Sequence, residues 1–239
     1  MNIVIPYRKE PNNGTELMYA LRSIQKYLTG YKEIWIIGDC PAWVQNIQYI
    51  KCDEQQGKNA RNILNKILKA FERSREVGET VLQWQDDIYL TQPLNVSDIK
   101  YWYDRTLAEA IYEHHGNYHT YITNTALKVT EDARFYDIHT PIIYKKARFE
   151  QLARSYDWVR KNFILKTLYC TNSFIHPQYI DGIQTEQMSD CKVATPLRYN
   201  EIKKKIEGSM FFSTSPQGLN TEMIEIFEEL YPEKSKFEV

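Results

Sequence analysis

The chain has 239 residues, 43% of them hydrophobic, with 30 Lys and Arg against 31 Asp and Glu and a formal net charge of −1. That size and composition suit one α/β domain with a large core, and the balanced charge argues against a broad nucleic-acid surface while leaving room for a local basic cleft. Four scattered cysteines, Cys40, Cys52, Cys170 and Cys191, lack CxxC spacing, which argues against a zinc site or a disulfide framework and fits reduced thiols in a cytoplasm.

The first element is the short apolar run IVIP, Ile3 to Pro6, as expected of a strand buried on both faces. The loop RKEPNNG leads to TELMYALRSIQKYL, where Leu17, Ala20, Leu21, Ile24 and Leu28 recur at helical spacing and Thr15 is the expected cap. EIWIIGD and IQYIKCD read as the second and third strands. GKNARNILNKILKAF is the clearest helix, with Ala60, Ile63, Leu64, Ile67, Leu68 and Phe71 on one stripe. TVLQW is the fourth strand, and it runs directly into the adjacent carboxylates Asp86 and Asp87.

The second half is less regular. DIKYWYDRTLAEAIYEHH reads as a helix closed near Gly116, YHTYITNTALKV as extended chain, and FYDIHTPIIYKKARFEQLA as a strand or loop feeding a helix from about Lys146. FILKTLYCTNSFIH reads as a further helix, and the stretch from Pro177 to Arg198 as loop-rich. MFFSTSPQGLN gives a strand and turn, and TEMIEIFEELYPE a final helix with Met223, Ile226, Phe227 and Leu230 on one face. No apolar run approaches the ~20 residues needed to span a bilayer. The opening MNIVIPYRKE also lacks the layout of a signal peptide.

This order of strands and helices predicts a mostly parallel central sheet flanked by helices. The expected organisation is one domain, 1–239, with a nucleotide half to residue 93 and a more irregular acceptor half over 94–239. In open α/β sheets ligands bind beyond the carboxyl ends of the strands. PYR, GD and QDD fall there, which brings Pro6, Tyr7, Arg8, Asp39, Gln85, Asp86 and Asp87 to one rim.

Two neighbouring carboxylates at a strand end suit a hard divalent cation, Mg²⁺ or Mn²⁺, shared between carboxylate and substrate phosphates. His139 is a candidate to complete that metal site or to face the substrate, with Asp137 two residues away on the expected strand face. His176 and Asp181 are candidate bases for an acceptor. Lys58 and Arg61 are candidates for pairing with a diphosphate. No GxGxxG or P-loop occurs, which argues against dinucleotide enzymes and P-loop kinases.

The series IVIPYR, LRSI, IIGD, GKNARN and QWQDDIYL resembles the nucleotide-sugar half of GT-A-fold glycosyltransferases, a Rossmann-related fold. The resemblance implies a GT-A-like sheet and a metal-dependent transfer from a nucleotide diphosphate sugar to a hydroxyl acceptor. Their Asp-x-Asp is replaced here by Gln85, Asp86 and Asp87. By that resemblance Asp87 is the metal ligand, Asp86 faces the sugar or metal, Arg61 lies near the nucleotide, and Pro6, Tyr7 and Asp39 hold base and ribose.

A narrower resemblance, to Stealth-type capsular sugar-phosphate transferases, rests on ELMYALRSIQKYLTGYKEIWIIGDCPAWV, QDDIYL, IHTPIIYKKARFEQL and FEELYPEKSKFE. Those proteins begin with a tryptophan-valine-aspartate-glycine block, where this chain has IVIPYRKE. Sugar-1-phosphate transfer and a non-catalytic nucleotide-sugar-binding module remain the alternatives. The acceptor is open between a glycan, a protein and a hydroxymethylated DNA base.

Overall fold

The computed structural model describes residues 1–9, 12–57, 59–129, 133–171, 185–189 and 191–239. Its central sheet has five strands in the order Ile142–Lys145, Thr80–Gln83, Asn2–Tyr7, Ile34–Gly38, Gln48–Lys51. The last four run parallel to one another, and Ile142–Lys145 is antiparallel at the edge. From Asn2–Tyr7 the chain steps outward to Ile34–Gly38 and Gln48–Lys51, then returns to the other side of Asn2–Tyr7 as Thr80–Gln83. The order therefore switches direction between Asn2–Tyr7 and Thr80–Gln83. Crevices open at such points, at the carboxyl ends of the strands.

Alternation along the strands explains why both faces are covered. Ile3, Ile5, Ile34, Ile36 and Leu82 pack with Leu17, Leu21 and Ile24 of the helix Thr15–Tyr27. Val4, Trp35, Ile37 and Val81 point the other way, onto Leu64, Ile67 and Phe71 of the helix Asn59–Glu72. Successive strand residues face opposite sides, so an unbroken apolar run serves two layers at once. Burying a Val, Leu or Ile side chain contributes roughly 1.5–3 kcal/mol, and these strand residues are almost wholly shielded.

After Thr80–Gln83 the chain leaves the central sheet. Ile88–Leu90 pairs antiparallel with Phe211–Thr214, which pairs parallel with Lys192–Val193. This small sheet covers the outer face of Thr15–Tyr27 together with the helices Tyr199–Ile206 and Thr221–Leu230. Arg22 ties the end of the chain to that layer, with Nε and Nη2 each 2.9 Å from a Glu238 oxygen.

Several expectations are corrected. Thr15 does not cap its helix: Gly14 is the cap in left-handed conformation, and the Thr15 hydroxyl donates to the Asn12 carbonyl instead. The expected helix over DIKYWYDRTLAEAIYEHH contains the strands Tyr101–Tyr103 and Arg105–Thr106, with helix only over Leu107–Glu113. Thr106 and Glu109 form a capping box that sets this later start. Gly116 opens the helix Gly116–Ala126, so the segment expected to be extended is helical. Tyr118, Ile122 and Ala126 of that helix line a small core with Leu107 and Phe135, and this packing overrides the weak helix propensity of its Thr, Tyr and Asn residues.

Candidate functional site

The turn that carries the acidic pair is built by Trp84. This fully buried indole donates from Nε1 to the Ile88 carbonyl at 3.0 Å, and the Ile88 amide lies 3.3 Å from the Gln85 carbonyl. Trp84 itself stays registered with the sheet through its amide, 2.9 Å from the Val4 carbonyl. Gln85, Asp86 and Asp87 thus leave the sheet beside the strand that ends at Tyr7. The Thr214 amide, 3.3 Å from the Asp87 carbonyl, fixes the far end of the turn.

Three segments from the second half converge on the acidic turn and His139. His139 brings Nε2 to 3.7 Å from Asp87 Oδ2, and each side chain is 22% exposed. Lys192 comes from the small sheet, in register with Ser213, which is in register with Ile88. Its Nζ lies 2.8 Å from the same His139 Nε2. An ammonium has only donors, so Nε2 is the acceptor in this contact, which assigns the proton of a neutral ring to Nδ1. Lys166, in the helix Leu165–Thr171, is buried behind the site. The Asp87 Oδ1 atom is buried and has no hydrogen-bond partner among the described residues.

A second group sits one strand away, at the ends of Asn2–Tyr7 and Ile34–Gly38. Lys66 is almost fully buried, donates to the Tyr7 carbonyl at 2.7 Å and pairs with Glu54. The Asp39 amide lies 3.3 Å from that same carbonyl, while Asp39 Oδ2 accepts from the Lys9 amide at 2.8 Å. Gly38 between them has φ +127°, and a Cβ there would meet the Tyr7 carbonyl at 2.1 Å. Only glycine permits this approach of two strand ends. Tyr7 is buried, Pro6 half-buried, and Arg8 and Asp39 exposed.

Behind Asp87 lies a buried polar chain. The Tyr89 hydroxyl is 2.9 Å from Thr214 Oγ1, which donates to Glu16 Oε1 at 2.5 Å. Burial first, and then the Glu16 carboxylate, push the Tyr89 phenol well above its usual range, so it stays protonated.

The sequence-predicted residues divide accordingly. Gln85, Asp86, Asp87 and His139 lie together, and Tyr7 and Asp39 meet at the neighbouring strand ends. Arg61 stands on the helix Asn59–Glu72 with Nη1 2.9 Å from Gln55 Oε1. Asp137 accepts from the Tyr118 hydroxyl, and the segment carrying Asp137 and His139 is irregular chain and bend, so of the expected strand or loop it is the loop, and the two residues share no strand face. Lys58, His176 and Asp181 lie outside the described residues.

Lys66, Lys166, Lys192 and Glu16 were not anticipated. Lys66 had a sequence signal: with Asn62 and Ala70 it forms an i, i+4 row beside the apolar stripe, and all three are buried. Lys166 had one too, as a lone cation in an apolar run. Nothing in the residues around Lys192 marks it.

The fold and rim define a mostly parallel α/β protein whose ionisable side chains gather where the strand order switches. No protein-family profile and no curated protein matches the chain. Solved structures similar to it include the crystal structure of a glycosyltransferase involved in the glycosylation of the major capsid of PBCV-1, with a TM-score of 0.45 and 13% identity over 96% of this chain and 97% of that one.

Proposed function

We propose that this protein is a glycosyltransferase that moves a sugar from a nucleotide diphosphate sugar to a hydroxyl acceptor, at the rim where Asp87, His139 and Lys192 meet. The observation that carries the reading is the convergence of a buried, unsatisfied carboxylate oxygen with a lysine ammonium at the switch point of a parallel sheet. A buried acceptor left without a donor costs roughly 1–3 kcal/mol. Such a cost is tolerated where a ligand supplies the missing partner.

The residues fit a divalent cation in a limited way. Among the described residues no group of three or more His, Cys, Asp and Glu side chains is placed to hold one. Asp87 Oδ1 is a fitting single ligand, and Mg²⁺ or Mn²⁺ commonly completes its shell from substrate phosphates and water. When bound, the cation would neutralise charge on the departing diphosphate. His139 is less suited to serve as its second ligand, because Lys192 already engages the Nε2 lone pair.

The chain's own groups do the rest. Lys192 uses one of its three N–H donors on His139 and has no other hydrogen-bond partner among the described residues. The remaining donors suit a phosphate oxygen, and His139 keeps the ammonium in place. Asp86, next in the turn, faces the sugar. Tyr7 and Asp39 flank base and ribose, and the second half of the chain receives the acceptor and excludes water.

The deciding experiment is a thermal-shift screen of nucleotide sugars with Mn²⁺, followed by turnover of the stabilising donor with and without chelator. A selective ligand raises the melting temperature by mass action. No stabilisation and no turnover across the common nucleotide sugars removes this reading. Phosphorus in the transferred product replaces it with sugar-1-phosphate transfer.

A further inference from the structure

The helix Leu165–Thr171 is buried along its length and is apolar apart from Lys166 and its threonines. Lys166 is only 5% exposed. Its Nζ lies 2.8 Å from the Ile138 carbonyl, 2.8 Å from the Thr140 carbonyl and 3.3 Å from Gln85 Oε1. Two of these acceptors bracket His139. The third belongs to the residue that starts the acidic turn.

The backbone at His139 needs such support. The Thr140 amide donates to the Ile138 carbonyl at 2.8 Å, which closes a three-residue turn centred on His139. His139 is not among the residues at positive φ, so the turn is of the inverse γ type. One short hydrogen bond is a weak brace for a ring whose Nε2 atom must meet both Asp87 Oδ2 and Lys192 Nζ. The ammonium grips the carbonyls at both ends of the turn and, through Gln85, joins it to the strand Thr80–Gln83.

Stability is a weak reason for a lysine here: desolvation of a buried ammonium is costly, and apolar replacements of buried charges are often neutral or stabilising. A saturated polar network instead fixes one geometry.

From this we infer that Lys166 is a positioning residue: it clamps the His139 turn to the Gln85–Asp87 turn and so sets the distance between the Asp87 carboxylate and the His139 ring. The inference rests on the reading of that rim as the functional site. Its test does not require the reaction.

The readout is the ¹⁵N signal of the His139 ring at fixed pH, assigned by its loss in His139→Gln. Wild type should show one Nδ1–H tautomer with Nε2 as hydrogen-bond acceptor. Lys166→Met should remain folded by circular dichroism, lose the acceptor signature and show averaged tautomers. Lys166→Arg, which keeps charge and donors, should recover part of the signature. Gln85→Leu leaves Lys166 in place and cuts only the link to the acidic turn. It should cause a smaller change of the same kind, and it decides the matter should Lys166→Met fail to fold. A merely structural lysine would lower the melting temperature and leave the His139 signal as it was. That result in a folded variant overturns the inference. An altered His139 signal without any nucleotide-sugar turnover removes only the proposed reaction.

Discussion

Asp87 and His139 stand 3.7 Å apart, Oδ2 to Nε2, although one lies in the turn that follows the central strand Thr80–Gln83 and the other belongs to a turn in the far half of the chain. The partner atom Oδ1 is buried and unsatisfied among the described residues. A carboxylate in this state serves ligand binding more than stability. Asp87→Ala should therefore lower turnover by roughly 10²–10³-fold, through loss of charge stabilisation in the transition state. Its unfolding free energy should stay within about 1 kcal/mol of wild type or rise, because the truncation also removes an uncompensated buried acceptor. Matched urea titrations and donor-turnover assays check both parts. Full activity over a manganese titration would dismiss the pair as an ordinary strand-end turn.

Lys192 makes a separable prediction. Its ammonium should meet phosphate directly, so Lys192→Met should weaken binding of inorganic pyrophosphate by about tenfold to hundredfold in the presence of chelator, the range expected for one charge-assisted hydrogen bond. Isothermal titration measures this without knowledge of the sugar. Equal affinity in the two proteins would assign Lys192 only to the support of His139.

Gly38 lets the ends of the strands Asn2–Tyr7 and Ile34–Gly38 approach each other. Gly38→Ala places a Cβ about where the Tyr7 carbonyl stands, at φ +127°. The strands Asn2–Tyr7 and Ile34–Gly38 must then separate at their carboxyl ends, and the bond from Lys66 to Tyr7 is lost. The expected cost is about 3 kcal/mol or more, read by chemical denaturation. A wild-type denaturation midpoint would show that the strand ends can shift freely.

The Arg22–Glu238 pair predicts a pH dependence. Burial alone would raise the Glu238 carboxyl, but hydrogen bonds from Arg22 and from Ser235 outweigh it and hold the group below its usual value of 4.5. A folded-state value below the unfolded one contributes stability that is present above pH 4.5 and lost as pH falls through the lower value. Wild type should lose stability across that acidic window, and Glu238→Gln should show a flatter profile there. At neutral pH Glu238→Gln should be less stable by about 1–3 kcal/mol, because Arg22 keeps its buried charge with only the half-exposed Glu228 carboxylate, 3.5 Å away, beside it. Melting curves from pH 3 to 7, roughly the span over which carboxylates titrate, give both comparisons.

The sequence by itself determined the four parallel strands of the central sheet and its two covering layers, while the antiparallel edge strand Ile142–Lys145 was added by the tertiary structure. Continuous apolar runs such as Ile3–Ile5 and Ile34–Ile37 can only be buried on both faces, and the stripe from Ala60 to Phe71 can only lie against them. These are local signals, repeated within a few residues, and they also placed Asp86 and Asp87 at the rim. What gathers around Asp87 was decided by tertiary structure. His139 arrives on a turn braced from another helix. Lys192 arrives through a register that runs from Ile88 across Ser213, and Lys166 from behind. None of these approaches leaves a periodicity in the sequence, because each depends on strand pairing and side-chain reach between distant segments. The helix Gly116–Ala126 shows the same limit: its residues favour no helix strongly, and a small core against Leu107 and Phe135 makes it one.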